Sequence, residues 1–513
     1  TLKEIAVTKM KKKMKVGIAV LLCLAFLLGS AVTQLVIGLY PANVTTVWVN
    51  NPPLHEADYI IGVYNSTHYY AKNGTTGEIE FCGTNASQVI INTFSSISDG
   101  DTVYIKKGLY SITGRIWVNK SLKIFGDGID STTLYDDTSG FGKPWFTVHA
   151  SHVQIEGITF SGNYKSEAIF HIRRYSGDSD ISDITIRNCK FEKPKTTHDA
   201  GAIFTVWDTE QSEFKLYDIT VENCIFTNDL DSTYDNVAFS YVQDVTIKNC
   251  WINLTKTFIL YKSKNCKVIG NTFVGFNSYA SLVIGMGGHI VSDNHFNCTV
   301  PIKVTAEGMS YNGTTIISGN HFYGRKSDHT GGNGLYIIST VASGAIGKLV
   351  ISNNIFRHTV RGVMTESVPS QVDIKEFIIS DNIFDDISGS AIYLSNFTNV
   401  VIEGNIITNP NQNDGQYDGI TIKYSTNIVI SSNIIQSTWT TKAYRGIRIY
   451  DSYNITITDS VIENCSYRGI IEESESDWNI IIGVRAVDSP HNIIISGANT
   501  KCHLCYNGTS WIS

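Results

Sequence analysis

One spacing of hydrophobic and polar positions recurs along most of the chain: apolar-x-apolar-x-x-Asn-x-(Phe or Ile). It reads LVISNNIF ending at Phe356, FIISDNIF at Phe384, VVIEGNII at Ile407 and IVISSNII at Ile435. Earlier copies are CKVIGNTF ending at Phe273, HIVSDNHF at Phe296 and TIISGNHF at Phe322. ITIRNCKF, ITVENCIF and VTIKNCWI are the same unit with Cys at the Asn position. Tracked from 127 to 485, that position recurs fourteen times at intervals of 21 to 35 residues. Apolar residues alternate with period 2 inside each copy and are mostly Ile and Val, which predicts strands. A second strand, Gly-apolar-x-apolar, follows many copies, as at Gly334, Gly362, Gly419, Gly446 and Gly469.

Three short strands per repeat with no helical pattern between them describe one coil of a parallel stack. Such a coil cannot bury its own apolar face, so neighbours share one continuous core. At a strand spacing of about 4.8 Å, thirteen rises predict a rod roughly 60 Å long. The column Asn271, Asn294, Asn320, Asn354, Asn382, Asn405 and Asn433 places an amide at one turn of seven consecutive coils. Stacked amides can bond one another and the turn backbone. Asn also suits a turn that needs a left-handed residue. Cys189, Cys224 and Cys250 continue the column and are expected to be buried free thiols.

The 513 residues include 40 Asn, 9 Pro and only 17% charged residues. This is too apolar for a disordered chain. Six Lys and one acid fall in the first forty residues, leaving the remainder at about −12, which disfavours a nucleic-acid partner. A basic n-region (1–15) precedes an uncharged run from Val16 to Tyr40, long enough to span a bilayer. Residues 16–40 are therefore expected to be an uncleaved signal anchor, with a cleaved signal as the other reading. The Lys cluster would hold the N-terminus inside and the body outside. A linker with a small β-hairpin module (41–81), the coil stack (82–500) and a tail (501–513) follow. Twelve Asn-x-Ser/Thr sequons fit a glycosylated exterior: Asn43, Asn65, Asn73, Asn85, Asn119, Asn253, Asn297, Asn312, Asn396, Asn454, Asn464 and Asn507. Cys502 and Cys505 suggest a local disulfide.

These features resemble the right-handed parallel β-helices of the pectate-lyase-like superfamily, whose members carry such Asn ladders. Residues 83–128 resemble the opening of those proteins: a short amphipathic helix (about 86–96), a Gly-Asp turn, the strand TVYI, Gly-x-Tyr and a closing Leu-x-Ile-x-Gly-x-Gly. The resemblance implies an all-β, single-stranded right-handed parallel β-helix of about 13–14 coils. An N-terminal cap helix would cover its open edge, and a transmembrane or signal helix would precede it. Members include lyases, hydrolases, epimerases, viral spikes and non-catalytic surface proteins, so fold alone does not assign activity.

In the enzymes of this group substrate lies along the outer face of one sheet. The resemblance points to the Gly-apolar-x-apolar strands, where alternation sends Tyr336, Glu366, Tyr393, Thr421, Lys423, Arg448, Tyr450 and Glu473 outward. Aromatic rings interleaved with charge suit sugars bearing carboxylates, and Arg361 and Arg445, just before strand glycines, would add positive potential. If the protein is an enzyme, Lys423 is the candidate base for proton abstraction beside a uronate carboxylate and Arg448 the group neutralising it. Asp418 would pair with Arg445. A lyase of this kind would use Ca2+, for which Asp229, Asp231 and Asp235 offer oxygen-rich spacing. His198 and Asp199, with Asp208 and Glu210, form a further acid/base candidate. Hydrolase motifs are missing: Gly288-His289 is followed by Ile290, and Arg448 by Ile449-Tyr450.

Two classes remain. One is a membrane-anchored, glycosylated surface protein that binds glycan or builds the envelope. The other is a calcium-assisted lyase acting on uronate polymers. A fibre or spike subunit, which would add self-association, uses the same rod.

Overall fold

The computed structural model describes residues 57–65, 67–137, 144–165, 168–194, 203–210, 214–228, 237–305, 311–324, 332–338, 344–366, 372–411, 417–437, 442–506 and 511–512. The stretch 16–40, His198, Asp199, the trio Asp229, Asp231 and Asp235, and the sequons Asn43 and Asn507 lie outside them. Among the described residues no helix is long and apolar enough to cross a membrane.

The repeat folds as the alternation demands. Each coil contributes one strand to each of three parallel sheets, A, B and C, and each strand pairs with its equivalents one coil before and after. In one coil, Gly344–Ser352 lies in sheet A, Ile355–Arg357 in sheet B and Val363–Glu366 in sheet C. Their partners in the next coil are Val372–Ser380, Ile383–Asp385 and Ile392–Ser395. The stack begins earlier than the tracked repeat, at Thr102–Ile105, and ends later, at Cys505–Tyr506. Its first strand is extended by Tyr59–Asn65, which also forms an antiparallel hairpin with His68–Asn73.

Inward residues form columns at the coil spacing. Phe273, Phe296, Phe322, Phe356 and Phe384 stack with centroids 4.7, 5.1, 4.5 and 4.8 Å apart and rings within 15° of parallel. Aromatic pairs left to themselves prefer offset or edge-on arrangements. Here the backbone repeat of about 4.8 Å imposes the overlap. The helix Ala86–Ser96 starts at Asn85, whose side chain accepts from the Gln88 N–H at 3.1 Å. It turns Ala86, Val89, Ile90 and Phe94 onto the first coils, packing on Gly108–Ile112 and Ile116–Val118.

The turn between sheets A and B divides its labour between two residues. The ladder asparagines do not adopt left-handed backbone. The residue before each does: Gly270, Asp293, Gly319, Asn353, Asp381, Gly404 and Ser432 all have positive φ, as does Asn249 before Cys250. The ladder Asn is thereby freed to point inward. Each Oδ1 accepts from the backbone and side-chain amides of the preceding ladder residue, and each Nδ2 donates to a strand carbonyl one coil earlier. Cys250 joins the column through its backbone N–H, which donates to Asn271 Oδ1 at 2.8 Å. Ser460 continues it, its hydroxyl accepting from Asn433 N–H. In the last coil the position falls to buried Val484 rather than Arg485.

Cys189, Cys224 and Cys250 are buried and free, and burial pushes the Cys189 thiol up to about 12. Cys502 and Cys505 correct the expected disulfide. Both are free thiols, because Cys505 points into the core and donates to the Ile481 carbonyl.

The strand glycines have a steric cause. None of Gly334, Gly362, Gly419, Gly446 and Gly469 has positive φ. A Cβ on Gly362 would sit 2.2 Å from the Phe384 ring, and one on Gly446 would sit 2.3 Å from Ile462. Sheet C passes so close to the inner side chains of sheet B that only hydrogen fits.

Candidate functional site

The outward face of sheet C is assembled by register. Tyr336 stands beside Met364, Met364 beside Tyr393, Tyr393 beside Thr421, and Thr421 beside Arg448. The second outward row runs Ser395, Lys423, Tyr450, Glu473. Lys423 and Arg448 do occupy adjacent coils, as the spacing predicts, but on different rows, so each meets a different neighbour.

Lys423 Nζ lies 5.6 Å from the ring centroids of both Tyr393 and Tyr450, one on each adjoining coil. Among the described residues no carboxylate pairs with it. Arg361 stacks over the other reach of Tyr393 at 5.1 Å. Tyr424, half exposed, meets Tyr450 edge-on at 5.7 Å. The result is a cation held between aromatic faces, with further phenol rings around it.

Arg448 is differently engaged. Its Nε and Nη2 both lie 2.7 Å from Glu473 Oε2. Glu473 also faces Arg445 at 3.6 Å, and Arg445 bonds Asp418 at 3.1 Å. Asp418 and Arg445 are buried, so the expected pair is present as the inner half of a chain Asp418–Arg445–Glu473–Arg448. Burial raises the Asp418 carboxyl above its usual range, against the opposing pull of Arg445 and of Thr421, whose hydroxyl donates to Asp418 at 2.8 Å. Thr421, expected outward, is consequently covered. Asp418 and Glu473 are thus each already paired with guanidinium. Among the described residues no group of three His, Cys, Asp or Glu could hold a metal ion. Glu366 lies on the strand Val363–Glu366.

Alternation along single strands missed several members of the face. Tyr444 and Tyr467 stack at 4.8 Å on consecutive coils, with Arg445 and Arg468 over their rings at 4.6 and 4.2 Å. Toward the N-terminus of the same sheet, Arg173 lies over Tyr175 at 4.3 Å and beside Trp207 at 5.4 Å. Trp207 is 37% exposed. His149 meets Tyr175 edge-on and bonds Asp178 at 2.9 Å. Lys262 lies over Tyr241 and Tyr261 at 5.5 and 5.1 Å. The signal available in sequence was the shared row, legible only once coils are aligned.

Asp208 and Glu210, expected as acid/base candidates, share one cation. Both bind buried Arg174, at 3.1 and 2.7 Å. Arg174 also donates to the carbonyls of Asp178 and Ser179. His289 is buried, its Nδ1 taking the Cys266 N–H and its Nε2 facing the Gly285 carbonyl.

Residues 343–507 match the family model described as a right-handed β-helix region. The chain is a right-handed parallel β-helix. This β-helix is similar to the A-module of mannuronan C-5 epimerase AlgE6 from Azotobacter vinelandii, at 11% identity and a TM-score of 0.35 over 82% of this chain and 93% of that one. It is similar to PfbA, a surface adhesin of Streptococcus pneumoniae, at 13% identity and 0.37 over 78% and 86%. It is also similar to the pre-mature bacteriophage phi29 gene product 12, at 12% identity and 0.48 over 82% and 64%. These are likenesses of fold. No curated protein matches the chain by sequence.

Of the sequons, Asn65, Asn85, Asn119, Asn253, Asn297, Asn396 and Asn454 are exposed. Asn73 and Asn464 are half-buried with their amides already donating, to Glu80 and to the Ser437 carbonyl. Asn312 lies on the strand Tyr311–Ser318.

Proposed function

We propose that this β-helix is displayed outside the cell, held by residues 16–40, and binds a carboxylate-bearing polysaccharide along the outer face of sheet C. The observation that carries the reading is the placement of Lys423 between Tyr393 and Tyr450. Sugar rings present an apolar face to aromatic side chains and their carboxylates pair with fixed cations. An exposed cation–π contact contributes about 0.5–1 kcal/mol, which helps keep the ammonium in place before ligand arrives. Arg361 extends the positive edge. The exposed sequons agree with an exterior surface. Elimination chemistry would need Arg448 to leave Glu473, so the same face favours binding over turnover.

Calorimetry with short oligouronates tests this. Lys423→Ala and Tyr450→Ala should each weaken binding about tenfold while leaving circular dichroism unchanged, since both side chains point outward. Isotherms unaltered by either substitution, or absorbance from unsaturated uronate ends that disappears in Lys423→Ala, would overturn the reading.

A further inference from the structure

The cation–aromatic arrangement at Lys423 has a counterpart far along the same face. Arg173 sits between Tyr175 and Trp207 much as Lys423 sits between Tyr393 and Tyr450. The two lie on one outward row of sheet C. Arg173 pairs in register with Trp207, Trp207 with Ser240, and Ser240 with Tyr261. After an irregularity in the next strand the register continues as Gly285, Thr305, Ile338 and Glu366, and the offset that sets Met364 beside Tyr393 carries it on to Ser395, Lys423 and Tyr450. Nine coil steps at about 4.8 Å separate Arg173 from Lys423, roughly 43 Å. Between them stand two further lysines: Lys262 over its tyrosine pair, and Lys303 on the neighbouring outward row beside Tyr336.

We propose that the Arg173–Tyr175–Trp207 cluster is a second binding site for the same class of ligand, and that one long polyuronate chain engages both sites at once. The inference rests on the proposed function and adds a length requirement to it. The stack makes the two sites rigidly coaxial, so the second contact of a chain that already holds the first is intramolecular. A chain too short to span the interval occupies the sites separately. One long enough gains avidity of about 10²- to 10⁴-fold without any new contact. Lys262 and Lys303 place positive charge between the two sites, which suits a polymer bearing carboxylates.

The test is titration calorimetry of the whole protein with oligogalacturonates of increasing defined length. Short oligomers should bind weakly with two per protein. Beyond the length that covers the interval, the stoichiometry should fall to one and the affinity should rise at least a hundredfold. Trp207→Ala should reduce short-oligomer stoichiometry to one and abolish the rise. One short oligomer per protein, lost in Lys423→Ala and untouched by Trp207→Ala, would overturn the second site while leaving the proposed function intact. Two sites with affinity that never steps with length would overturn the bridging. No binding at any length would overturn the proposed function itself.

Discussion

Replacing Asn354 by Leu tests the ladder at its centre with little change in side-chain volume. Asn354 is buried, and its Oδ1 accepts from both the backbone N–H and the side-chain amide of Asn320 at 3.0 Å. Its Nδ2 donates to the Ile317 carbonyl at 2.9 Å and to Asn382 Oδ1 at 3.0 Å. Leu removes all four bonds. Not every partner is orphaned by this: Asn320 Nδ2 keeps the Val291 and Ser318 carbonyls, and Asn382 Oδ1 keeps the Asn354 N–H. What remains is one buried N–H and one buried carbonyl, each costing about 1–3 kcal/mol when unsatisfied. Burial of the apolar side chain returns roughly 1–2 kcal/mol, so mid-range values leave an expected loss of about 2–3 kcal/mol. Ser offers a control already present in the molecule, since Ser460 accepts the Asn433 N–H at 3.3 Å and donates to the Thr458 carbonyl. Asn354→Ser should therefore cost less than Asn354→Leu despite its smaller volume. Urea denaturation gives the order, and hydrogen exchange at the Asn320 amide gives the location, because coils couple chiefly to their neighbours. A Leu variant as stable as the parent, or more stable than Ser, would refute the ladder argument.

Two further outcomes follow from buried charge. His171 and His289 are held neutral by burial, which lowers their pKa to about 3 and about 4. The unfolded chain takes up these protons near the ordinary histidine value, about 6.5. The native state binds fewer protons throughout that window, so stability is full above about 6.5 and falls as pH drops toward 4. Denaturant midpoints should decline over this range, and less steeply in His289→Asn; a midpoint flat from pH 7 to 4 would contradict it. Arg174→Ala leaves Asp208 buried with its Arg partner removed, and should cost about 3–5 kcal/mol. Removing both charges in Arg174→Met/Asp208→Leu should recover most of that, as read by a double-mutant cycle in thermal melts. Equal losses in the single and double variants would show that the pair itself is unimportant.

Most of the fold was legible because a parallel coil is specified locally and then repeated. Alternation of Ile and Val fixes which residues face inward, and an Asn column at constant phase fixes the turn. The Gly before five strands of sheet C was visible as a signature, but its cause was not: the clash of a Cβ with Phe384 or Ile462 belongs to a residue from another strand. The left-handed residue was assigned one position too late, since sequence shows that a turn needs such a conformation without showing which of two adjacent polar residues takes it. Asn353 takes it, and Asn354 points inward.

The face of sheet C separates the two kinds of information most sharply. The sequence by itself determined that Tyr393, Lys423, Arg448 and Tyr450 point outward, because side-chain direction alternates along a strand whatever its neighbours are. Which of them meet was decided by tertiary register, because contact depends on alignment between coils some 25 residues apart in sequence. That register put Lys423 between two tyrosine rings and Arg448 against Glu473. It also brought Arg173 and Trp207 onto the row that Lys423 occupies. Alternation is a property of one strand's backbone; pairing is a property of two strands held together by the shared core.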